Sequence, residues 1–258
     1  MKTHVYNFLK YKDLFLELIR KDINLKYKNS YLGVLWSLLN PLLMMIVLTI
    51  IFSEVFQNKI ENFPVYVLTG RMLYSFFSES TNFAMNSIIN NSQLIRKVYV
   101  PKYFFPLSRV CSSFITSLIS LIPIILVMLL TGVHFSFYNF LIIIPLFLLL
   151  IIAMGAGMIL STIFVFFRDM GHLYSVILMI LMYMTPIFYP ASIIPDRYHW
   201  LIELNPLYPL LKIFRDVLMY GQMFEWSELL IAAAYAVIYF LVGIYVFYKK
   251  QDRFIFHI

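Results

Sequence analysis

Long apolar segments, separated by short polar ones, make up most of this chain. Six of them have about the length that an α-helix needs to cross the hydrocarbon layer of a membrane. They lie at about residues 32–56, 65–89, 107–131, 140–167, 173–189 and 229–248. The pattern therefore predicts an all-α, polytopic membrane protein with six transmembrane helices.

The first 31 residues have a different pattern, in which apolar residues recur every three to five positions with charged residues largely between them. The apolar positions are Val5, Phe8, Tyr11, Phe15, Leu18 and Ile23. This pattern is typical of an amphipathic helix that lies in the membrane interface, with its apolar side in the acyl region. A helix that packs on a soluble partner domain is the alternative. We therefore divide the chain into an interfacial helix, residues 1–31, and a six-span transmembrane domain, residues 32–258.

The composition agrees with a membrane protein, since 62% of the residues are hydrophobic, 13% are charged and the mean hydropathy is +0.83. Soluble domains have about 45–50% apolar and about 25% charged residues. The formal net charge of +7 could indicate nucleic-acid binding, but most of the 20 Lys and Arg residues flank the spans on the side of the N-terminus. By the positive-inside rule, both termini are cytoplasmic. We expect no nucleic-acid partner.

Residues 190–222 fit neither a span nor a free loop, because they are too apolar for a loop and contain several prolines. A proline cannot continue a helix from within, so Asn205-Pro206 predicts two short helices, each too short to cross the membrane. We expect a helical hairpin that dips into the outer leaflet. An amphipathic cap that lies flat on the outer surface is the alternative.

The second predicted span is unusually polar, and Glu79 lies about halfway along it. An ionised side chain at this depth costs about 2.5–3.5 kcal/mol on insertion scales. Such residues usually face the interior of a helix bundle or an aqueous cavity. Glu79 is therefore expected to line a path or bind protons, or else to belong to a structural polar cluster with the neighbouring Ser and Asn residues.

The sequence lacks the motifs of several enzyme classes. No G-x-x-x-x-G-K-[ST] motif and no Asp-x-Asp pair occur, and the five histidines are too far apart to form a metal-binding motif. We therefore expect that the chain is not an enzyme and holds no catalytic residue, metal or cofactor of its own. The absence of a P-loop means that any ATP would bind to another chain.

A short amphipathic segment connects the second and third predicted spans on the cytoplasmic side. It begins with Asn and Ser residues that are suited to capping a helix, and it ends before Pro101. A short helix held by two spans would act as a lever, because a cytoplasmic partner that pushes it would move both spans. An ordinary interfacial loop would have the same sequence pattern.

Several segments in fixed order resemble the Wzm/TagG-like permeases, the membrane subunits of ABC transporters that export O-antigen or teichoic acid. The first is "DINLKYKNSYLGVLWSLLNPLLMMIVLTIIFSEVF", residues 22–56. The others are "FPVYVLTG" (63–70), "FFSES" (76–80), "NNSQLIRKVYVPKYFFPLS" (90–108), "FFRDMGHLYSVILMILMYMTPIFYP" (166–190) and "LNPLYPLLKIFRD" (204–216). One departure is Arg71, which follows "LTG" where the resemblance leads us to expect a neutral residue.

The resemblance implies the type-two ABC exporter permease fold in a bacterial inner membrane, as a homodimer with two ATPase subunits that bind ATP and Mg. It implies a cargo of glycan on polyprenyl diphosphate, moved from cytoplasm to periplasm. Residues 190–222 would form short helices at the periplasmic mouth. The segment at about 90–100 would be the coupling helix that docks on the ATPase subunit, with contacts from Asn91, Leu94, Ile95, Arg96, Lys97 and Tyr99.

Aromatic residues make up 18% of the chain, and their flat apolar faces suit sliding contacts with sugars. Most of them would instead face lipid or mark the membrane interfaces. Pro41 bends the first span, and we expect that bend to face the pore, with Asn40 available for hydrogen bonds. The candidates for the substrate channel are Trp36, Asn40, Tyr74, Phe76, Phe77, Glu79, Tyr183, Phe188 and Tyr189.

Two further expectations concern packing and rival functions. Small residues at Ala153, Gly157 and Ser161, and again at Ala232 and Ala236, predict close helix contacts, either within the chain or at a dimer seam. The alternative functions are an ABC exporter of teichoic acid, capsule, drug or lipid, and a membrane enzyme that acts on polyprenyl-linked sugars.

Overall fold

The computed structural model describes residues 10–28, 31–56 and 60–258, and these ranges form helices without any strand. The α-helices are Lys12–Tyr27 (α1), Leu35–Phe56 (α2), Phe63–Met85 (α3), Ser87–Asn90 (α4), Ser92–Lys97 (α5), Phe104–Ile119 (α6), Leu121–Thr131 (α7), Ile143–Phe166 (α8), Met170–Met184 (α9), His199–Glu203 (α10), Leu207–Leu218 (α11) and Trp226–Lys250 (α12). Short 3₁₀ helices cover Phe137–Ile142, Ala191–Ile193, Asp196–Tyr198 and Gln251–Phe256. The prediction of an all-α protein is confirmed for the described residues.

Four helical segments among the described residues are long and apolar enough to cross a membrane. They are Leu35–Phe52, Phe104–Thr131, Phe137–Phe166 and Trp226–Phe256, which correspond to the first, third, fourth and sixth predicted spans. The second predicted span is α3, whose 23 residues include the polar positions noted above. The fifth is α9, whose 15 residues extend about 22 Å. That length is short of the roughly 30 Å of hydrocarbon in a bilayer.

One predicted span is divided, and two others end earlier than predicted. The third span is divided at Ser120, because Pro123 has no N–H to bond the carbonyl of Ile119, where α6 ends. The fifth ends at Met184, since Pro186 favours an extended conformation for the residue before it. The second ends at Met85 and is followed by a turn and α4.

Helix α8 packs against α12 at the point where two glycines meet. A Cβ atom built on Gly155 would lie 2.2 Å from the carbonyl oxygen of Tyr239, and one on Gly243 would lie 2.5 Å from the oxygen of Gly155. Since real Cβ atoms do not approach backbone so closely, only glycine permits this crossing. The helix backbones therefore pack directly on each other.

The small-residue face predicted on α8 packs against α3, within the chain. Ala153, Gly157 and Ser161 are all buried, and a Cβ on Gly157 would lie 2.8 Å from the Cβ of Ala84. Gly155 was missed because it lies about 200° around the helix from Gly157, outside the i, i+4 series.

Helix α1 packs on α6 through part of its apolar face. Leu18 and Ile19 are buried, and the rings of Phe15 and Phe104 lie 5.4 Å apart. This face was predicted to lie in the acyl region, but these side chains contact the protein's own core instead. Leu16 and Leu25, on the other side, are exposed. The predicted positions Val5 and Phe8 lie outside the described residues.

The predicted break at Asn205-Pro206 separates α10 from α11. The buried Asn205 side chain donates a hydrogen bond to the hydroxyl of Thr185, and its Oδ1 accepts one from the N–H of Leu207. One amide therefore connects the first residue of α11 to the segment that follows α9.

Candidate functional site

Helices α3 and α6 present two facing stripes of polar residues. The stripe on α3 and α4 consists of Arg71, Ser75, Glu79, Asn82, Asn86 and Asn90, and the stripe on α6 and its C-terminal end consists of Arg109, Ser112, Ser113, Thr116, Ser117 and Ser120. Within each stripe the spacing is mostly three or four residues, which places the members on one helix face. Together they form a polar groove among apolar helices, which we call the groove.

A central cavity of about 320 Å³ occupies one part of the groove. It is bounded by α2, α3, α6 and the end of α1. Four predicted channel residues come together at its wall, namely Trp36, Asn40, Phe76 and Glu79.

Pro41 lies inside α2 and also lines the central cavity. Since proline has no N–H, the carbonyl of Ser37, four residues earlier, has no intrahelical partner there. Ser37 is itself a wall residue, and its hydroxyl lies 2.9 Å from the hydroxyl of Tyr27. The interrupted turn of α2 therefore adds polar groups to this cavity.

An inner cavity of about 500 Å³ occupies the part of the groove next to α4. Its wall combines charged, amide, hydroxyl and aromatic groups: Asp22, Lys26, Glu79, Asn82, Phe83, Asn86, Asn90, Arg109, Ser112, Ser113 and Thr116, beside Ile23 and Leu25. Its two basic and two acidic side chains balance in charge. Such a wall suits a neutral, hydroxyl-rich molecule.

An ion pair lies where the two cavities adjoin. The Nζ of Lys26 lies 2.5 Å from Oε1 of Glu79 and 3.5 Å from the hydroxyl of Thr116. All three residues line both cavities. The Glu79 side chain is 54% exposed and that of Lys26 is 37% exposed. The pair therefore lies in the open part of the groove, within reach of solvent.

A second ion pair, between Arg109 and Asp22, fastens α1 to α6. The two groups lie 2.5 Å apart with side-chain exposures of 12% and 3%, and the guanidinium carbon lies 4.1 Å from the ring centroid of Phe83. Burial raises the pKa of the Asp22 carboxyl, although the charge of Arg109 acts in the opposite direction. The cost of burying this carboxylate is therefore only partly offset by its partner.

The structure does not bring the other five channel candidates to the groove. Phe77 is as deeply buried in the core as Phe76, but it lies about 100° further around α3 and lines neither cavity. The hydroxyl of Tyr74 donates to the carbonyl of Leu178 on α9. The other three are associated with α9 and the segment after it: Tyr183 is exposed, Phe188 packs on the core, and Tyr189 donates to the carbonyl of Tyr183.

The sequence matches the model of the ABC-2 type transporter family over residues 13–219, which is most of the chain. The chain belongs to the ABC-2 type transporter family. Among its relatives, the O-antigen export system permease protein RfbA of Klebsiella pneumoniae is 33% identical over 252 residues, 96% of each chain. The protein of the same name from Myxococcus xanthus is 27% identical over 97% of each chain.

A more distant relative is named for a different cargo. The polysialic acid transport protein KpsM of Escherichia coli is 24% identical over 238 residues, which is 91% of this chain and 92% of the relative. The resemblance to polysaccharide-exporting permeases of ABC transporters is thus confirmed at the level of the family. The matched region of this ABC-2 chain includes both cavities of the groove.

The candidate coupling segment of the ABC-2 chain is the short helix α5. Ile95 and Val100 are buried against the core, whereas Arg96, Lys97 and Tyr99 project outwards. The helix ends at Lys97 and Val98 is extended, so Tyr99 lies beyond the helix. Leu94 is half-buried beside them.

Asn91 does not cap α5 as its side-chain type suggested. Its Nδ2 instead donates to the carbonyl of Ser87, so the side chain holds α4 rather than the start of α5. This local hydrogen bond competes with capping. Asn91 is buried and does not project with Arg96 and Lys97.

Sequence reasoning missed a buried arginine near the other end of α3. Arg215 on α11 places its guanidinium 3.3 Å from the ring centroid of Tyr66 and donates to the carbonyls of Tyr66 and Pro186. Its neighbour Gly70 is in contact with the same guanidinium, where a Cβ would lie 3.0 Å from it. Arg215 thus binds α11, α3 and the segment after α9 together. It borders a separate cavity of about 280 Å³.

Proposed function

We propose that this chain is the membrane-spanning permease subunit of an ATP-driven exporter of lipid-linked polysaccharide, an O-antigen-like glycan on polyprenyl diphosphate. The cargo moves from the cytoplasm to the periplasm across the bacterial inner membrane. The observation that carries the proposal is the groove, a continuous polar surface along two helices in an otherwise apolar bundle. The RfbA relatives are O-antigen export permeases that align with 96–97% of this chain, and they support the cargo class.

The two ion pairs of α1 provide a mechanism for opening the groove. Helix α1 is joined to α6 by Asp22 and Arg109 and to α3 by Lys26 and Glu79. If α3 and α6 separate, one pair must break. Exposed pairs contribute about 0–1 kcal/mol, whereas breaking a buried pair costs several times more. The Lys26–Glu79 pair therefore opens first and joins the two cavities.

The energy for this movement comes from a separate ATPase subunit, which holds ATP and Mg, since the chain has no P-loop. The ATPase docks on α5, the coupling helix within about residues 90–100. Arg96, Lys97 and Tyr99 contact it, and the buried Ile95 transmits the displacement to the core. Because α4 and α5 follow α3 and precede α6, a push on α5 reaches both walls of the groove.

The pore is completed by a second copy of the chain. Trp36 is 51% exposed although it lines the central cavity, so one chain leaves the groove open on one side. Helix α9 exposes Leu173, Val176, Met179, Ile180 and Tyr183, which lipid or the second copy would cover.

Each subunit has six spans, including α3 and α9, with both termini cytoplasmic. Helix α1 lies along the inner leaflet, and α10 and α11 form the outer hairpin within residues 190–222.

A capsular polysaccharide is the second candidate cargo, because the polysialic acid transport protein KpsM also aligns with 91% of this chain. Teichoic acid, drugs and other lipids are further possibilities within the same architecture. The membrane-enzyme alternative has no motif in the sequence to support it.

The test is the surface polysaccharide of a strain from which this gene has been deleted. We expect the surface glycan to disappear and its lipid-linked form to accumulate in the inner membrane. Both effects are reversed by the wild-type gene, but not when the ATPase partner is also deleted. A normal amount of every surface glycan in the deletion strain would contradict the proposal. Loss of capsule with intact O-antigen would select the second candidate.

A further inference from the structure

Among the described residues, Arg71 is a cation of the groove that has no counter-charge within ion-pair distance. Lys26 pairs with Glu79, and Arg109 pairs with Asp22. Arg71 makes no hydrogen bond, ion pair or ring-stacking contact with the part of the chain that the structure describes. Glu79 lies about 12 Å further along the axis of α3, too far for a direct contact.

Arg71 lies where a charged side chain without a counter-charge is energetically costly. It lies in the third turn of α3 and lines the central cavity. Charged residues within membrane-spanning segments are expensive, and they pair with a partner or mark the path of a substrate. None of the described residues supplies that partner, which leaves the cargo as a source of the counter-charge.

The wall around Arg71 is suited to an oxyanion. A guanidinium presents several N–H donors in a planar fork that matches a carboxylate or a phosphate with two parallel hydrogen bonds. Asn40, Ser75 and Ser120 line the same cavity and supply additional donors. The indole of Trp36, also in this wall, offers a flat face for the sugar that carries the anion.

We propose that Arg71 selects cargo that carries an anionic group, which it binds in the central cavity through a two-point contact of its guanidinium. The inference rests on the proposed function in taking the cargo to be a glycan. The anion is an oxyanion from one of two sources: the carboxylate of an acidic sugar residue, or the diphosphate that links the glycan to its lipid carrier. Arg71 acts as a specificity-determining residue in either case.

The test is calorimetric titration of the full chain in nanodiscs of zwitterionic phosphatidylcholine. The probes are glucuronate, inorganic pyrophosphate and glucose. We expect saturable binding of at least one of the two anions and no measurable binding of glucose. Binding of glucuronate alone identifies the acidic sugar as the source, and binding of pyrophosphate alone identifies the carrier.

Variants assign the binding to Arg71. The neutral Arg71→Gln raises the Kd of the bound anion tenfold or more, as expected for a lost charge-assisted pair of hydrogen bonds. Arg71→Lys keeps the charge but not the fork, and it raises the Kd by a smaller factor. Arg197→Gln is the matched control, because Arg197 is exposed and lies outside the groove. It leaves the Kd unchanged.

Three results would overturn the inference: no binding of either anion, binding of glucose as tight as that of the anions, or an unchanged Kd in both Arg71 variants. If Arg71→Gln does not yield a monodisperse protein, the Kd of Arg71→Lys is the test by itself. A raised Kd then supports the inference, and an unchanged Kd overturns it. The titration involves no export, so its failure is distinguishable from failure of the proposed function, which would appear as normal surface glycan in the deletion strain.

Discussion

Lys26 of α1 lies 2.5 Å from Glu79 of α3, although the two residues are 53 positions apart in the sequence. The pair stands between the central and inner cavities, whose walls share both side chains. Glu79, in the middle of the polar helix α3, thus pairs with a lysine of α1, the helix that precedes the first span. If α1 moves away from α3, this contact is lost and the two cavities join into one continuous groove.

Reversing one charge of the Lys26–Glu79 pair should open the groove at rest. Glu79→Lys places two cations in contact, so α1 moves away and the cavities join. The measurement uses a Cys111→Ser background with the probe substitution Asn40→Cys and a membrane-impermeant thiol reagent added from the cytoplasmic side. We expect the probe cysteine to react about fivefold faster in Glu79→Lys than with Glu79 in place. That factor corresponds to the roughly 1 kcal/mol of an exposed ion pair.

The double variant Lys26→Glu/Glu79→Lys restores the pair and should restore the slow reaction. Glu17→Lys disrupts the exposed pair of Glu17 with Arg20, also on α1, and serves as the control. Equal rates in Glu79→Lys and the wild-type background would show that the pair does not separate the cavities.

Loss of one partner of the Asp22–Arg109 pair should destabilise the protein much more than loss of Lys26. Arg109→Met leaves the Asp22 carboxylate, whose side chain is 3% exposed, without its counter-charge. We expect the free energy of unfolding to fall by about 3–5 kcal/mol. Lys26→Met should cost less than about 1 kcal/mol. Denaturant titration in detergent measures both, and equal effects would contradict the ranking of the two pairs.

The glycine crossing of α8 and α12 should not tolerate a methyl group. Gly155→Ala places a Cβ within 2.2 Å of the backbone of Tyr239, so the helices must move apart. We expect a loss of about 1–3 kcal/mol or more in unfolding free energy, as for other overpacked cores. Gly171→Ala is the control, since its Cβ would meet only the movable ring of Phe164. A stable Gly155→Ala protein would exclude the direct backbone contact.

Reversal of the projecting charges on α5 should detach the ATPase subunit. Arg96→Glu/Lys97→Glu changes exposed side chains and leaves the buried Ile95 in place, so the chain should insert and fold normally. We expect co-purification of the ATPase to fall at least tenfold, because charge complementarity guides docking. Lys249→Glu/Lys250→Glu, at the exposed end of α12, controls for charge alone. Undiminished co-purification would rule out this part of α5 as the contact.

The polar stripe on α3 could largely be predicted from the sequence. Ser75, Glu79, Asn82 and Asn86 follow the helical period, and an acid in a span indicates a cavity or a polar cluster. Trp36 and Asn40, selected because of their polar neighbours and the adjacent Pro41, line the same cavity. The sequence thus indicated that this span is polar, but it was not used to assign a polar face, and the facing stripe on α6 was not predicted.

The partners of these faces could not be predicted in the same way. Nothing local to Glu79 specifies Lys26, because the contact depends on how α1 returns across α3. Phe76 and Phe77 are neighbours of the same type, yet only Phe76 lines the groove, since composition does not specify the orientation of a uniformly aromatic turn. Likewise, Gly155 meets α12 because Gly243 leaves room for it on the opposing helix.

Photo-crosslinking tests most directly whether the groove carries the glycan. Benzoylphenylalanine replaces Phe76 in the central cavity, Phe83 in the inner cavity or Phe147, which is exposed on α8 away from both cavities. In cells that export the glycan, we expect glycan-linked adducts from positions 76 and 83 and none from position 147. Adducts from position 147 alone, or from none of the three while export continues, would contradict the groove as the export path.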